Sequence, residues 1–242
     1  MLRRAIALGM IGALAAGTWA LASPHSSLPA GSHAAAVDPS NFVWHVTNPF
    51  FPLPPGALWV YQGVEEGQRQ TDRVLVTHQT KIILGVRTTV VRDVVSHDGQ
   101  VLERTFDRYA QDRQGNVWYF GEDTTEFLPG GGQSTEGSWQ AGVKGARPGI
   151  VMEADPQVAD GYRQEFLKGH AEDQAWVLTR GGAIHVPLGS LHHVLQTMEW
   201  TPLEPNVVDR KAYVRGIGMV AERTVAGPEE TGALVRLRMP GS

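Results

Sequence analysis

From residue 42 onwards, apolar, aromatic and β-branched residues occur in short runs that Gly, Pro, Asn or Asp separate from one another. This spacing is typical of strands joined by turns, and no segment has the 3.6-residue periodicity of an amphipathic helix. We therefore predict a mainly β fold, with a single antiparallel, curved meander sheet that is half-barrel or barrel-like. The predicted strands are residues 57–64, 71–78, 86–96, 100–110, 116–121, 162–169, 172–179, 182–186, 191–201, 208–215, 218–225 and 232–239.

Two of the predicted connections are tight hairpins. The dipeptides Asp98-Gly99 and Gly115-Asn116 lie between predicted strands and tolerate the positive φ angles that short turns require. Residues 129–156 are different, because they are rich in glycine and do not alternate between apolar and polar positions. We predict that this segment is a long Gly-rich excursion from the sheet, of a length that often carries function.

The N-terminus has the layout of a secretory signal. Arg3 and Arg4 precede an uncharged stretch of apolar and small residues that ends in a small-x-small pattern. We predict a signal peptide over residues 1–22 with cleavage after Ala22, a flexible tether over 23–41 and a single β domain over 42–242. An uncleaved membrane anchor and a twin-arginine signal are the alternatives. The expected location is the periplasm or the medium, with no stable membrane span after cleavage.

Composition restricts the partners. The chain has no cysteine, so it forms no disulfide, and its stability must come from an apolar core. It has 25 acidic and 21 basic residues, and loss of Arg3 and Arg4 with the signal would make it more acidic. A net negative charge argues against binding to nucleic acid or to anionic lipid.

Catalytic motifs are missing from the sequence. It lacks a GxSxG elbow, an HExxH helix, a phosphate-binding GxxxxGK[ST] loop and any cysteine-based site. A triad assembled from distant residues would leave no such signal, so an unrecognised hydrolase remains a third hypothesis. We predict no catalytic residue and favour a non-enzymatic protein.

The tryptophans support the leading hypothesis, an exported binding module. Aromatic residues usually fill the core, but in a curved sheet they can also line a ligand cavity. The ligand would be a small apolar or amphipathic molecule, or a partner protein. The candidate ligand-binding residues are Trp59, Trp118, Trp139, Trp176 and Trp200.

Histidines support a second hypothesis, an exported protein that binds a divalent metal. A loop centred on residues 187–190 would pair His185 with either His192 or His193 on one face of a hairpin, close enough to share zinc or copper. An ordinary hairpin with exposed polar residues is the alternative. Acidic loops that include Glu122 and Glu136 could also hold calcium. Residues 112–123 have part of the spacing of a calcium loop, but Val117 stands where glycine is required, which favours a hairpin.

Seven segments together resemble a family of uncharacterised exported bacterial proteins found in actinobacteria and proteobacteria. The resemblance extends over residues 48–222 and implies export. The opening and closing segments are also similar to periplasmic lipoprotein-carrier-like domains, which implies a sheet curled into an open half-barrel. The resemblance assigns no catalytic or ligand-binding residue. The segments are NPFFPLPPGALWVYQG, YAQDRQGNVWYFGEDT, STEGSWQAGVKGARPGI, YRQEF, AEDQAWV, EWTPLEP and YVRGIGMVAE.

Overall fold

The computed structural model describes residues 37–241. The predicted signal peptide, its cleavage after Ala22 and residues 23–36 of the predicted tether lie outside the described residues. The described structure includes a 3-10 turn, Pro39–Asn41, capped by Asp38. Arg113 donates its backbone N–H to Asn41 and its side-chain Nε–H to the carbonyl oxygen of Ser40. This part of the predicted tether is therefore attached to the sheet.

Antiparallel strands make up most of the described chain, which contains no α-helix, and the mainly β prediction is confirmed. Within residues 37–241, no helix is long and apolar enough to cross a membrane. The strands are β1 (Phe42–Val43), β2 (Leu58–Glu65), β3 (Gln68–Ile83), β4 (Val86–His97), β5 (Gln100–Asp112), β6 (Val117–Phe127), β7 (Gln133–Ser134), β8 (Trp139–Gln140), β9 (Arg147–Met152), β10 (Gly161–Arg163), β11 (Glu165–Phe166), β12 (Gln174–Arg180), β13 (Ala183–Val186), β14 (Gly189–His192), β15 (Leu195–Trp200), β16 (Val208–Val214), β17 (Gly218–Ala226) and β18 (Glu230–Arg238).

The main sheet curls until its two ends meet. Its strand order is β10-β12-β15-β16-β17-β18-β2-β3-β4-β5-β6-β9-β11. Only Gln164 separates β10 from β11, so one short stretch of chain pairs with β12 before this residue and with β9 after it. Gly149 of β9 lies against this stretch, and a Cβ atom there would be 2.3 Å from the carbonyl oxygen of Arg163. The sheet is barrel-like and nearly closed, with one seam at Gln164.

Three consecutive hairpins, from β2 to β5, have two-residue turns. In the turn Asp98-Gly99 both residues have positive φ, 48° and 81°, as a type I′ turn requires. Glu66-Gly67 and Leu84-Gly85 form turns of the same kind. The predicted hairpins at Asp98-Gly99 and Gly115-Asn116 are confirmed. The other two were not predicted, because Glu and Leu are not typical first residues of such turns.

The Gly-rich segment 129–156 takes part in the sheet. It contributes β7 and β8, which pair with β6, and β9, which completes the sheet at the seam. Outside the barrel, Phe42 of β1 packs edge-on against Trp118 and Phe120 of β6. Strand β1 thus forms an outer layer over this part of the barrel wall.

The inner face of the barrel differs between its two ends. At the aromatic end, the inner face carries buried rings, and Phe51 from the segment before β2 packs edge-on against Tyr109 at 5.1 Å. Asn48 of the same segment donates hydrogen bonds to the carbonyl oxygens of Gly115 and Glu153, which holds the segment in place. At the acidic end, where the turns at Glu66 and Asp98 lie, the inner positions carry carboxyl groups. The rings of the aromatic end are Phe51, Trp59, Tyr109, Tyr119 and Tyr213.

Candidate functional site

A ring of buried carboxyl groups occupies the inner face of the acidic end. Its members come from seven strands that are distributed around the barrel, and each is less than a tenth exposed. One buried lysine lies among them. We call this group the acidic ring. It consists of Asp72 on β3, Asp93 on β4, Asp107 on β5, Glu122 on β6, Glu165 on β11, Glu199 on β15 and Glu222 on β17, together with Lys211 on β16.

Strand register brings these side chains together. Asp107 pairs with Glu122, and Lys211 pairs with Glu222. The register of β5 and β6 shifts beside Asp107, opposite Gly121, whose φ is 128°. A bulge of this kind changes the face to which the following side chains point, so Glu122 faces inwards although Phe120 faces outwards. A Cβ atom at Gly121 would lie 2.4 Å from the carbonyl oxygen of Trp139, so this position requires glycine.

One sector of the ring contains its own cation. The Nζ atom of Lys211 lies 3.1 Å from Oε2 of Glu199 and 3.8 Å from Oε1 of Glu222. The other carboxylate oxygen of Glu199 accepts hydrogen bonds from Thr197 and Tyr213. Burial lowers the pKa of Lys211, but the charges of Glu199 and Glu222 outweigh burial and raise this pKa above its ordinary value. This sector is therefore a buried ammonium group held by two carboxyl groups.

The opposite sector consists of carboxyl groups that raise one another's pKa. Burial and then the charge of Asp93 raise the pKa of Asp107 to about 8. Burial, the charge of Asp93 and a hydrogen bond with Asp93 raise the pKa of Asp72 well above its ordinary value. Two carboxyl groups can share a hydrogen bond only if one of them carries a proton. A proton on one of these two groups is therefore favoured over ionisation of both.

The same effect extends around the barrel to the seam. Burial and then the charge of Asp107 raise the pKa of Glu122 well above its ordinary value. Burial, the charge of Asp173 and that of Glu122 do the same for Glu165. Carboxyl groups this close cannot all ionise unless a positive charge joins them.

Several polar atoms in and beside the ring lack hydrogen-bond partners among the described residues. Asp107 accepts a hydrogen bond from the hydroxyl of Tyr119 at 2.7 Å on Oδ1, but its Oδ2 has no partner. Oη of Tyr109 and Oε2 of Glu222 are also buried and without a partner within residues 37–241. Buried polar groups in folded proteins are almost always paired. The ring is thus able to accept further hydrogen bonds and positive charge.

The five predicted tryptophans do not form one cluster. Trp59, at the aromatic end, donates to the carbonyl oxygen of Ile217 at 2.7 Å, and Trp139 packs edge-on against Tyr119 at 5.4 Å. Trp118 and Trp176 alternate with inner residues along their strands and lie on the outer face. Trp200 is buried at the end of β15. Ligand binding by Trp59, Trp118, Trp139, Trp176 and Trp200 stays a prediction.

The histidine hairpin has another register than predicted. Val186 pairs with Gly189, so the turn consists of Pro187 and Leu188. His185 consequently faces Ser190, with 3.1 Å between Nδ1 and Oγ, and His192 faces Ala183. The predicted pairing of His185 with His192 or His193 is wrong, because Gly189 belongs to the strand and not to the turn.

Metal binding by His185, His192 and His193 stays a prediction. Within residues 37–241, no three His, Cys, Asp or Glu side chains are grouped so that they could hold a metal ion. At residues 112–117 the predicted hairpin is confirmed, because β5 ends at Asp112 and β6 begins at Val117. Oδ1 of Asp112 accepts hydrogen bonds from the backbone N–H groups of Gln114 and Asn116, which stabilises the turn. Of the acidic loop residues, Glu122 belongs to the acidic ring.

Comparison with solved structures finds two matches of low identity. A solved protein from Bacteroides fragilis, described as exported and as having a YmcC-like fold, is 14% identical, with a TM-score of 0.46 over 78% of this chain and 99% of that chain. A protein from Parabacteroides distasonis, described as a lipoprotein, is 13% identical, with a TM-score of 0.45 over 78% of this chain and 98% of that chain. No protein-family model matches the chain, and no curated protein matches it at a significant level.

Proposed function

We propose that this chain is a non-enzymatic binding module that works outside the cytoplasm and holds a small organic cation in the acidic ring. The observation that carries this proposal is the composition of the ring: seven buried carboxyl groups and a single lysine on the inner face of one end of the barrel. The exported location rests on the signal-like sequence of residues 1–22.

The contacts of Lys211 indicate which chemical group of a ligand would suit the acidic ring. Its ammonium group contacts two carboxyl groups and satisfies them without any guanidinium or metal ion. Lys211 and Arg108 are the only buried basic residues in the part of the chain that the structure describes. Arg108 forms an ion pair with Asp123 on the outer face. An ammonium group from a ligand would therefore form ion pairs with Asp72, Asp93 and Asp107, as Lys211 does with Glu199.

This proposal narrows the ligand predicted from the tryptophans. Only Trp59 and Trp139 of the five lie clearly on the inner face, and Trp59 already donates its N–H to the protein backbone. Seven carboxyl groups, in contrast, lie on the inner face of the acidic end. Charge on the ligand should therefore matter more than its apolar area.

Binding of a cation should also release protons. Asp107 and Glu222 have pKa values raised to about 8, so both carry protons for much of the time at pH 7. An ammonium ion favours their ionised forms, and the released protons make the affinity rise with pH up to about 8. A neutral ligand would not produce this dependence.

Isothermal titration calorimetry of the mature chain tests the proposal with three probes: butane-1,4-diammonium, butane-1,4-diol and n-octanol. We expect saturable binding of the diammonium ion, tighter at pH 8 than at pH 6, and no binding of the diol. Asp107→Asn should weaken binding at least tenfold, whereas Asp123→Asn, a matched change on the outer face, should not. Circular dichroism would verify that both variants fold.

Two outcomes would contradict the proposal. Equal binding of n-octanol by the wild type and Asp107→Asn, without binding of the diammonium ion, would favour the apolar ligand predicted from the tryptophans. Binding of the diammonium ion with the same affinity at pH 6 and pH 8 would show that it does not reach the acidic ring.

A further inference from the structure

Folding separates the acidic from the basic residues. Among residues 37–241, twelve of the 25 acidic residues are buried, but only two of the 19 basic residues. The accessible surface therefore carries an excess of positive charge, although the formal net charge of the chain is −4. The net charge of the chain argued against an anionic partner, but the folded surface carries charge of the opposite sign.

Part of this positive charge lies on one continuous region of the outer face. Arg236 of β18 and Arg73 of β3 both pair with Val60 of β2, from opposite sides. On the adjacent strands, Arg92 of β4 pairs with Leu75, and Arg104 of β5 pairs with Val94. We call this surface the arginine face. It consists of the exposed residues Arg73, Arg92, Arg104, Arg236 and Arg238.

The arginine face contains apolar residues between the arginines and little negative charge. Exposed sheets commonly place opposite charges next to each other across strands. Here the cross-strand partners of the arginines are apolar or neutral residues such as Leu58, Val94 and Phe106. None of the five arginines forms an ion pair with a described residue. Their guanidinium groups are therefore available to a partner.

The chemistry of this surface fits a layer of phosphate groups. Guanidinium groups bind phosphate through paired hydrogen bonds and are more weakly hydrated than ammonium groups. The arginines lie on four strands, β18, β3, β4 and β5, and not around a single concave point, so they match an extended surface of anions. Arg104 also lies over the rings of Phe106 and Phe127, at 6.0 and 5.6 Å from their centroids. Aromatic and basic residues together are typical of protein surfaces that contact lipid headgroups.

We propose that the arginine face docks the protein on the surface of an anionic phospholipid membrane. The occupant is the headgroup layer, and the protein lies on this layer without crossing it. A protein exported as residues 1–22 predict would meet such a surface outside the cytoplasm. The proposal does not depend on the ligand of the acidic ring, because the acidic ring lies on the inner face of the barrel and the arginines lie on the outer face.

Co-sedimentation with lipid vesicles tests this proposal. The mature protein should bind vesicles that contain phosphatidylglycerol and phosphatidylcholine, and should not bind vesicles of phosphatidylcholine alone. Binding should weaken as salt is raised from 0.05 to 0.5 M, because screening shortens the range of the attraction. The triple variant R73Q/R92Q/R104Q should bind on the order of 100-fold more weakly, since each basic residue near an anionic surface contributes about fivefold.

A second triple variant, R147Q/R180Q/R215Q, is the matched control. It removes the same charge from exposed arginines outside the arginine face, and its binding should fall much less. An equal loss in both variants would overturn the proposal, because it would show that only net charge matters. Binding of duplex DNA in place of vesicles would also overturn it. Titration of the face variant with butane-1,4-diammonium should give the wild-type affinity, so failure of one proposal can be distinguished from failure of the other.

Discussion

The aromatic and acidic ends are two halves of one inner face, built from the same strands. At the aromatic end, polar atoms find partners within the protein: Trp59 donates to Ile217, and Tyr61 donates to Met219. At the acidic end, carboxyl groups lie close enough to raise one another's pKa, and some buried oxygens have no partner among the described residues. Clustered buried carboxyl groups cost stability unless a cation joins them. The aromatic end therefore stabilises the fold, and the acidic end is where a function must be sought.

The largest effect is expected at the aromatic end. Trp59→Ala should lower the free energy of unfolding by about 3 to 5 kcal/mol, because it removes a fully packed ring and leaves a cavity. Trp118→Ala should cost less than about 2 kcal/mol, because Trp118 is only partly buried and lies on the outer face. Urea denaturation of both variants measures the difference. An equal loss would mean that the outer layer stabilises the protein as much as the aromatic end does.

Loss of the one cation in the acidic ring should have the next largest effect. Lys211→Met should cost about 3 kcal/mol at pH 8, because Glu199 and Glu222 would remain buried without their ammonium partner. The double variant Lys211→Met with Glu199→Gln should recover part of this loss. Urea denaturation at pH 8 checks both. A Lys211→Met variant as stable as the wild type would show that the ring does not need its cation.

The acidic end should also make stability depend on pH. Burial raises the pKa of Glu222 to about 8, and burial together with Asp93 does the same for Asp107. Between the unfolded pKa near 4 and the folded pKa near 8, the folded state binds more protons than the unfolded state, so stability falls as pH rises. The expected slope is about 1.4 kcal/mol per pH unit for each carboxyl group that keeps its proton.

Urea midpoints at pH 5, 6, 7 and 8 measure this slope. Asp107→Asn cannot ionise and should flatten it, whereas Asp123→Asn should leave it unchanged. Stability that increases from pH 5 to pH 8 would contradict the proposed protonation of the acidic ring. Because the variants Trp59→Ala and Trp118→Ala leave the carboxyl groups of the acidic ring in place, they should keep the wild-type slope.

Local sequence patterns predicted the strands much better than the closure of the sheet. The alternation within each strand and the Asp98-Gly99 turn are local features, and both were predicted correctly. Strand β9 was missed because Pro148 and Gly149 interrupt its alternation. Glycine is required at 149 because the chain approaches closely at the seam. Pairing between residues far apart in the chain has no local signal.

The acidic ring was missed for a similar reason. Val91, Asp93 and Val95 alternate as the inner face of β4, so a carboxyl group among inner valines was visible in the sequence. Acidic residues that are close together along the chain are visible as a cluster in the sequence, but the members of the ring come from different strands. For Glu122, the face depends on the bulge at Gly121, which shifts the alternation. Only the register of the whole sheet brings these residues together.

The smallest effect is expected at the boundary between the two ends, where the rings of Tyr109 and Tyr119 stack with 4.9 Å between their centroids. Both side chains are completely buried, but within residues 37–241 only the hydroxyl of Tyr119 has a partner, Oδ1 of Asp107. Tyr119→Phe should cost about 1 to 3 kcal/mol, because it leaves a buried carboxyl group with one hydrogen bond fewer. Tyr109→Phe should cost less than about 0.5 kcal/mol or be stabilising, since it removes a buried hydroxyl that has no partner. Urea denaturation at pH 6 compares the two variants under identical conditions. Equal losses would mean that Tyr109 is hydrogen-bonded in solution, and the boundary between the two ends would then lie further towards the acidic ring.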